Sequence, residues 1–462
     1  MIDQSKPNVV FILTDDQGPW AAGCCGNDEV RTPNIDRLAS SGMRFENFFC
    51  TSPVCSPARA SLMTGRIPSA HGVHDWIREG NMPPTATPYL DGLTCYTDTL
   101  AENGYTVGLS GKWHLGDSLT PQHGFSHWFT LLTGGSQYND AEMIRDGKVE
   151  VQPGYLTDVI TDDALNFIRE NSERHFYLSV NYNAPHTPFQ GHPQDIVDSY
   201  DDCPFKTCPQ EAAHPWAIPG SRNHLGNRES LKGYFAAITA VDLNVGRLID
   251  LIEELGLRQN TLFIFSSDNG YSCGHHGFWH KGNGTFPLNM YENSVKVPFV
   301  MSHPGRIAEG KVSSAMASQY DFMPTLLDYL SLDPVVDDLS PGRSFHPVLS
   351  GDTGEAKDEV VVFDEYGPVR MIRTQEWKYV HRYPYGPHEL YHLLNDPDER
   401  KNLVDEKSKT ALIGEMRQQL SNWFDRYVIP QLDGSHFAVT GGGQARKIDI
   451  DRCGERSFFE RG

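Results

Sequence analysis

The most specific chemistry in this sequence lies in the segment that begins at Cys55. It reads Cys55-Ser56-Pro57-Ala58-Arg59, and Thr64-Gly65-Arg66 follows shortly after. Pro57 suits the first turn of a helix, so Cys55 should lie at the helix N-terminus, where free backbone N–H groups favour an anion. Arg59 falls on the same helical face. From the residues alone, Cys55 is either a thiol nucleophile whose pKa is lowered by the helix end and the guanidinium, or a small buried apolar side chain.

Four other polar clusters each follow a predicted strand. They are Asp15-Asp16-Gln17, Lys112-Trp113-His114, Asn183–His186 and Asp268-Asn269-Gly270. In open parallel sheets, ligands bind beyond the carboxyl ends of the strands, so the four clusters can meet at one site. Asp, Asn and Gly are also ordinary turn formers, which is the alternative for any single cluster.

The acidic members of these clusters predict a metal site. Asp15, Asp16, Asp268 and Asn269 offer oxygen atoms only. Such ligands suit a hard divalent cation, and Ca²⁺ more readily than Zn²⁺, which prefers nitrogen and sulfur donors. Zinc held by Cys24-Cys25, or by Cys203 and Cys208, is the competing interpretation, but these cysteines lack partner pairs at the usual spacings.

Taken together, the motifs resemble those of the type I sulfatases, in the alkaline phosphatase superfamily. Cys55–Arg59 followed by Thr64-Gly65-Arg66 is similar to the formylglycine motif of that family. The counterparts of the other family motifs occur in the family's order: Asp15-Asp16-Gln17, Gly111–Gly116, Ala184–Phe189, Ser267–Gly270, Lys281, Trp377-Lys378-Tyr379 and Glu389-Leu390-Tyr391. The resemblance extends over residues 7–405.

The resemblance implies a modified nucleophile and one divalent cation. A formylglycine-generating maturation enzyme would oxidise Cys55 to an aldehyde, whose hydrated form attacks the sulfur of a sulfate ester. Calcium would be held by Asp15, Asp16, Asp268 and Asn269 together with the residue formed from Cys55.

The resemblance also implies catalytic roles for the basic residues. Arg59, Lys112 and Lys281 would stabilise the nucleophile and the sulfuryl oxygens. His114 would take a proton from the second hydroxyl of the hydrated aldehyde. His186 would protonate the leaving alcohol, with Lys281 as a second candidate donor.

The expected substrate is a small-molecule or oligosaccharide sulfate ester, more specifically a carbohydrate sulfate. The candidates for binding it are polar or aromatic: His74, Trp76, Arg78 and His276. An aryl or steroid sulfate is the alternative within the family. A phosphonate monoester or phosphodiester hydrolase is the alternative within the superfamily, although those relatives tend to place His where Asn269 follows Asp268.

Two readings of a different class remain. A non-catalytic binding protein would be expected to have degraded motif positions, and none of the residues named is degraded. A thiol enzyme would use Cys55 unmodified, and the mass of the intact protein distinguishes it from the formylglycine form.

The hydrophobic pattern predicts the elements that position these residues. Short apolar runs alternate with amphipathic stretches up to about residue 330, which is typical of a parallel sheet covered by helices. The predicted strands are Asn8–Thr14, Tyr105–Ser110, Phe176–Asn181, Thr261–Ser266 and Val297–Ser302. The predicted helices are Arg228–Leu255, ended by Gly256, and Thr157–Glu170.

The pattern changes near residue 355. Val360–Phe363, Val369–Arg373 and Trp377–Tyr383 read as a small antiparallel sheet, followed by a helix over Ser408–Tyr427 and a loop-rich tail around Gly441–Gly443. The expected fold is therefore α/β: a large, mostly parallel, sulfatase-like sheet sandwiched by helices (residues 1–355), with a smaller C-terminal α+β domain on an antiparallel sheet (residues 356–462).

Composition excludes several classes of function. The 462 residues carry 39 Lys+Arg and 60 Asp+Glu, a formal charge of −21, which argues against a nucleic-acid partner. Nine scattered cysteines do not suggest a disulfide framework. The apolar run Val9–Leu13 is too short for a signal peptide or a membrane span, so the sequence as it stands predicts a cytoplasmic protein, although a secreted or periplasmic protein without its leader would read the same.

Overall fold

A ten-stranded mixed sheet dominates the computed structural model, which describes residues 6–351, 362–448 and 457–460. The described residues form strands in three sheets, of ten, two and four strands. In chain order these strands are β1 (Asn8–Asp15), β2 (Met43–Phe49), β3 (Thr106–Gly111), β4 (His127–Leu131), β5 (Asn139–Arg145), β6 (Lys148–Tyr155), β7 (Phe176–Pro185), β8 (Thr261–Ser267), β9 (Ser272–Cys273), β10 (Trp279–His280), β11 (Phe299–Ser302), β12 (Lys311–Ser318), β13 (Val362–Tyr366), β14 (Val369–Arg373), β15 (Trp377–Arg382) and β16 (Glu389–His392). The large sheet has the order β12-β2-β11-β8-β1-β7-β3-β4-β5-β6, and β8, β1, β7, β3 and β4 run parallel at its centre. The predicted fold class is confirmed.

Helices cover both faces of this sheet. They are α1 (Pro33–Ser40), α2 (Cys55–Thr64), α3 (Pro68–His71), α4 (Tyr96–Glu102), α5 (Leu156–Glu170), α6 (Gln194–Asp198), α7 (Pro219–Arg222), α8 (Arg228–Glu254), α9 (Glu292–Val295), α10 (Phe322–Tyr329) and α11 (Thr410–Tyr427). Side chains of β1 alternate between two cores: Val9, Phe11 and Leu13 pack with α2, α4 and α10, whereas Val10 and Ile12 pack with α1, α5 and α8. None of the described helices has the length and apolar run that a membrane span requires.

The longest helix, α8, forms where its apolar spacing predicts it. The side chain of Asn227 accepts a hydrogen bond from the Ser230 backbone N–H and caps its N-terminus. The predicted core positions, which include Ile238, Val241 and Val245, are fully buried. Gly256 has a φ of +69°, a left-handed conformation that ends the helix at low cost.

The sheet is wider than the sequence pattern predicts. Strands β2, β4, β5, β6 and β12 extend it on both sides, and β11 runs antiparallel to its neighbours β2 and β8. Several of these outer strands have exposed positions, and their runs therefore lack the continuous apolar character of a central strand.

The C-terminal unit is a four-stranded antiparallel sheet with α11 packed against it. Met416, Leu420 and Phe424 of α11 contact Ile372 and Tyr379 on one face, while Met371 and Val380 on the other face join the core of the large sheet. The predicted strand Val360–Phe363 lies partly outside the described residues, and so does the division at 355 and 356, which stays a prediction.

Buried ionisable side chains occupy the interface between the two sheets, in a group called here the junction cluster: Glu292, Asp364, Arg373, Lys378 and Glu399. The Lys378 ammonium lies 3.1 Å from a carboxylate oxygen of Glu292 and 2.7 Å from one of Glu399. Arg373 lies 3.3 Å from the other Glu292 oxygen. Neither Asp364 oxygen has a hydrogen-bond partner among the described residues.

Candidate active site

The four polar clusters meet at one edge of the large sheet. Strands β8, β1, β7 and β3 are consecutive and parallel there, so the residues that follow them emerge side by side. Asp15 ends β1, Asp268 directly follows β8, and Lys112 directly follows β3. His186 follows the last residue of β7. The expectation that distant segments converge is therefore met by the topology.

Helix α2 begins at this edge of the sheet and places Cys55 there. Cys55 is its first residue, and Val54 before it is extended and provides no side-chain cap, so the helix end faces the site with its backbone N–H groups free of such a cap. The Cys55 thiol lies 3.3 Å from Asp15 Oδ1, and the Lys281 ammonium donates to its sulfur at 2.8 Å. One turn further on, Arg59 Nε donates to Asp268 Oδ2 at 2.9 Å.

Oxygen donors and the Cys55 sulfur come together in a way that fits a cation. One atom from each of Asp15, Asp16, Cys55 and Asp268 lies within 4.8 Å of the others, and all four residues are buried. Asn269 donates its side-chain N–H to Asp16 Oδ1 at 2.7 Å, while its own Oδ1 is buried without a partner among the described residues. An orphaned amide oxygen beside three carboxylates is a donor set suited to Ca²⁺.

The competing zinc interpretation receives no support. Within the described residues, no group of three or more converging His, Cys, Asp or Glu side chains includes Cys24, Cys25, Cys203 or Cys208. The eight described cysteines are free thiols.

Three cations face the carboxylates. Lys112 pairs with Asp15, Lys281 with Asp16, and Arg59 with Asp268. Burial by itself would raise the pKa of Asp15, but the surrounding cations, Lys112 first, hold it well below its usual range. Burial would likewise lower the pKa of Lys281, but the Asp16 carboxylate and its neighbours keep it well above its usual value. Both groups are therefore charged at neutral pH.

The surroundings of Cys55 argue against the activated-thiol alternative. Burial, followed by the nearby Asp15 carboxylate, raises the pKa of the Cys55 thiol, although Lys112 and Lys281 act in the opposite direction. The loss of solvation and the negative field outweigh the helix end and the guanidinium. Without a bound cation, the surroundings of an unmodified Cys55 therefore favour the protonated thiol over the nucleophilic thiolate.

The two histidines differ in which ring nitrogen is free of a hydrogen-bond partner within the described part of the chain. His114 Nε2 lies 3.0 Å from the Ile77 carbonyl and must donate to it, which leaves Nδ1 as a free acceptor, and Nδ1 has no partner among the described residues. His186 Nδ1 donates to the Thr187 carbonyl at 2.8 Å, and its Nε2 lies 4.0 Å from Asp16 Oδ2. Burial lowers the pKa of both imidazoles.

Exposure separates His186 from the rest of the site. Its side chain is 22% exposed, whereas those of Asp16, Arg59, Lys112 and Lys281 are at most 5% exposed. A ring nitrogen of His186 also lies within 4.8 Å of the Cys55 sulfur and an Asp15 oxygen. His186 is therefore placed where a substrate would enter.

Two site residues have left-handed backbones. Asp16 has a φ of +69° and His114 a φ of +57°. Such conformations are costly for residues other than glycine and persist where the surrounding structure holds them. Here they direct the side chains of residues that follow β1 and β3.

The structure separates the four candidates for substrate binding. His74 is fully buried, with Nε2 2.8 Å from the Leu432 carbonyl, and so does not face the site. Trp76 and Arg78 lie on either side of Ile77, whose carbonyl binds His114, and Arg78 is exposed. His276 stacks on Tyr291 at 3.9 Å in a separate cleft that Tyr391 and Arg400 also line.

The sequence analysis missed residues that support the site. Gln319 accepts a hydrogen bond from the Thr51 N–H at 3.1 Å and donates to the Asp268 carbonyl at 2.6 Å, so it joins the loop before Cys55 to the end of β8. No local pattern marks Gln319. Gly134 and Gly135 lie against His114 and His186, and the adjacent glycines were a signal that could have been noticed.

Comparison with known proteins gives consistent matches over most of the chain. The family model described as Sulfatase matches residues 7–332, and that described as N-sulphoglucosamine sulphohydrolase, C-terminal, matches residues 274–425. The N-acetylglucosamine-6-O-sulfatase of Bacteroides thetaiotaomicron is 28% identical over 92% of this chain and 87% of its own length. The N-acetylgalactosamine-6-sulfatase of Mus musculus is 30% identical over 80% of this chain and 71% of its own length.

A solved structure extends the match to three dimensions. It is described as a complex with its substrate, D-glucosamine-2-N,6-O-disulfate, and is 26% identical in sequence. Its TM-score is 0.80, and the alignment covers 93% of this chain and 99% of the other.

Proposed function

This chain belongs to the sulfatase family and is a sulfuric ester hydrolase, and we propose that it releases inorganic sulfate from a sulfated carbohydrate. The observation that carries the proposal is the convergence of Cys55, at the start of α2, with Asp15, Asp16 and Asp268. Buried anionic oxygens around a helix N-terminus fit a cation that in turn holds an anionic substrate.

A divalent cation fits this donor set. Asp15, Asp16, Asp268 and the orphaned Oδ1 of Asn269 would hold it, and Ca²⁺ is the ion that best matches all-oxygen ligands of this kind. When bound, it supplies positive charge for the nucleophile and the sulfuryl oxygens. Burial raises the pKa of the Cys55 thiol, which disfavours a thiolate nucleophile, and conversion of Cys55 by a maturation enzyme to formylglycine would supply hydroxyl groups in place of sulfur.

The basic residues of the site would bind the sulfuryl group even though the protein as a whole has a net charge of −21 and repels anions. Lys112 and Lys281 are buried and fixed by Asp15 and Asp16, so their charges do not need to reorganise when the substrate binds. Arg59 is held by two contacts, to Asp268 at 2.9 Å and to the Lys112 carbonyl at 3.0 Å. Local positive charge thereby overcomes the global repulsion of a sulfate.

The histidine geometry supports an acid and a base. His186 Nε2, the nitrogen that does not bond to Thr187, would give a proton to the departing alcohol oxygen from the imidazolium form; burial lowers the pKa of this ring, and the Asp15 and Asp16 carboxylates act in the opposite direction and favour that form. His114 Nδ1 is free to take a proton, because Nε2–H is committed to the Ile77 carbonyl. Burial lowers the pKa of His114, so its imidazole is neutral and suited to act as a base.

The candidates around the site favour a sugar. Trp76 is partly exposed and its Nε1 donates to the Gly441 carbonyl at 3.1 Å, while the exposed Arg78 guanidinium lies over its ring, 6.0 Å from the centroid. An aromatic ring and a cation thus flank Ile77, whose carbonyl binds His114. The relatives named above act, by their names, on sulfated amino sugars. An uncharged aryl or steroid body would be expected to meet a more apolar lining.

The direct experiment is a substrate screen of the protein co-expressed with a maturation enzyme. Sulfated mono- and disaccharides would be compared with steroid and aryl sulfates, with released sulfate as the readout. We expect the highest kcat/KM on a sulfated sugar. A higher value on a steroid or aryl sulfate would overturn the carbohydrate assignment, and faster turnover of a nitrophenyl phosphonate ester than of nitrophenyl sulfate would identify a phosphonate hydrolase.

A further inference from the structure

We propose that Gly134 and Gly135 are positioning residues, whose missing side chains allow one loop to lie directly over His114 and His186 and to hold the two rings in their working orientations. The inference rests on the proposed function, because it assigns different steps to the two histidines. The loop follows β4 and begins at Leu132.

Gly134 lies in contact with the ring of His114. A Cβ added at position 134 would lie 2.1 Å from Cε1, 2.2 Å from Nε2 and 2.6 Å from Nδ1 of His114. Gly134 is not among the glycines with a positive φ, so its backbone conformation is open to alanine. The reason for glycine here is space for the imidazole, not backbone freedom.

Gly135 lies less close to the ring of His186 than Gly134 does to the ring of His114. A Cβ at position 135 would lie 3.2 Å from Cε1 and 3.5 Å from Nδ1 of His186. A distance of 3.2 Å requires the neighbour to give by a few tenths of an ångström, whereas 2.1 Å requires a displacement. A side chain at position 134 would therefore displace the His114 ring more than a side chain at position 135 would displace the His186 ring.

Two hydrogen bonds join the later part of the loop to Asn183 and His186 and oppose its movement away from a new side chain. Tyr138 donates its hydroxyl to the His186 carbonyl at 2.6 Å, and the Asn183 side chain reaches the Ser136 carbonyl at 3.5 Å. Within the loop, the Thr133 hydroxyl donates to the Gly135 carbonyl at 3.1 Å. A Cβ at position 134 would therefore press on the imidazole itself.

Displacing each ring has a different chemical consequence. If His114 moves, the hydrogen bond from Nε2 to the Ile77 carbonyl is lost, and Nδ1 is no longer held as the free acceptor. The proton that His114 takes is needed for every substrate, because it precedes sulfate release. The proton that His186 gives matters most when the leaving alcohol is a poor one, as in a sugar, and least for nitrophenol.

The test compares Gly134→Ala and Gly135→Ala with Gly220→Ala as a matched control, because a Cβ at position 220 meets nothing within 4 Å. For Gly134→Ala we expect kcat to fall about 10²-fold on both nitrophenyl sulfate and a sulfated sugar, with KM little changed, since misplacing a catalytic group by about 1 Å costs that much. For Gly135→Ala we expect a smaller loss, confined mainly to the sulfated sugar. Gly220→Ala should match the wild type.

A second readout does not depend on turnover. In protein expressed without maturation, with ¹⁵N-labelled histidine, Gly134→Ala should shift the ring signals of His114, Gly135→Ala those of His186, and Gly220→Ala neither. Wild-type kcat for Gly134→Ala on both substrates would overturn the proposal, and so would a loss of kcat without any change in the His114 signals.

The remaining outcomes also separate the hypotheses. If Gly134→Ala does not fold, Gly135→Ala carries the test through its substrate dependence, and equal losses on both substrates would then refute it. If the wild type releases sulfate from no ester, the proposed function fails, while the ring signals still decide whether the glycines position the histidines.

Discussion

Two buried groups of ionisable side chains in this molecule look alike in composition and differ in how their oxygen atoms are arranged. The active-site group has Asp15, Asp16 and Asp268 with Lys112, Lys281 and Arg59. The junction cluster has Glu292, Asp364 and Glu399 with Lys378 and Arg373. In the first, atoms of four residues converge within 4.8 Å beside an orphaned amide oxygen. In the second, no set of three described carboxylates converges in this way.

The difference shows that buried charge alone does not make a site. In the junction cluster the Lys378 ammonium lies between two carboxylates from different segments, and the result is a fixed contact between the two sheets. In the active-site group Lys112, Lys281 and Arg59 each pair with a different carboxylate, and atoms of the three carboxylates still converge with the Cys55 sulfur. Function follows from convergence of donors at a strand edge, where a ligand can approach.

The largest contrast comes from removing the precursor of the nucleophile. Cys55→Ala should abolish sulfate release, a loss on the order of 10⁴-fold or more, because the residues of a catalytic unit act together. Cys50→Ala, which removes another buried thiol five residues earlier, should retain activity. Sulfate release measured beside the thermal midpoint of unfolding checks this, and residual turnover by Cys55→Ala would contradict it.

Removal of calcium should affect the active-site group and leave the junction cluster unchanged. Treatment with a calcium chelator should lower kcat/KM by at least about 10²-fold, and added Ca²⁺ should restore it, because metal charge stabilises the transition state by several kcal/mol. Calcium at 100 times its Kd should also raise the stability by about 2.7 kcal/mol. Asp268→Asn should lose this response of Tm to calcium and Glu292→Gln should keep it. If Asp268→Asn kept the response of Tm to calcium, the ion would have to bind at a different site.

Replacing one buried lysine in each group should separate catalysis from stability. Lys281→Met should lower kcat by about 10²–10³-fold, as expected for loss of a fixed positive charge at the reacting group. Lys378→Met leaves the Glu292 and Glu399 carboxylates without their shared ammonium, and should cost about 3–5 kcal/mol of unfolding free energy with kcat near wild type. Urea unfolding and initial rates measure both. Similar losses of kcat in the two variants would contradict the assignment of a catalytic role to Lys281 and a structural role to Lys378.

The smallest expected effect is a pH dependence in the junction cluster. Burial raises the pKa of Asp364 well above its usual value, although Lys378 opposes this. The folded state then keeps a proton that the unfolded state loses above about pH 4, so stability should fall as pH rises, by up to about 1.4 kcal/mol per pH unit. Asp364→Asn does not titrate at this position and should show a smaller slope, with Glu399, whose pKa burial raises to about 7, contributing to what remains.

The control for that measurement is Asp338→Asn, which changes an exposed carboxyl. It should leave the slope of unfolding free energy against pH as in the wild type. The advantage of Asp364→Asn over the wild type should be close to zero near pH 4 and grow as pH rises. Parallel curves for Asp364→Asn and the wild type would show that Asp364 does not hold a proton in the folded state.

Much of the active site was predictable from short stretches of sequence. The start of α2 at Cys55 follows from Pro57, and strands β1, β3, β7 and β8 follow from their continuous apolar runs. The burial of His74 was not predictable, because it comes from the tail segment that carries Leu432. The role of Gly134 was missed because β4, which positions it, has no strong pattern of its own.

The sequence by itself determined the types of ligand, the position of Cys55 at a helix start and the strand ends that carry the polar clusters, because each depends on neighbours within a turn or a strand. Only the tertiary structure decided which of these residues meet. Asp15 and Asp268 are 253 positions apart in the chain and approach one another because β1 and β8 pair in parallel. The direction of the Cys55 pKa shift was decided at the same level, since it depends on how much water and charge the folded chain leaves around the sulfur.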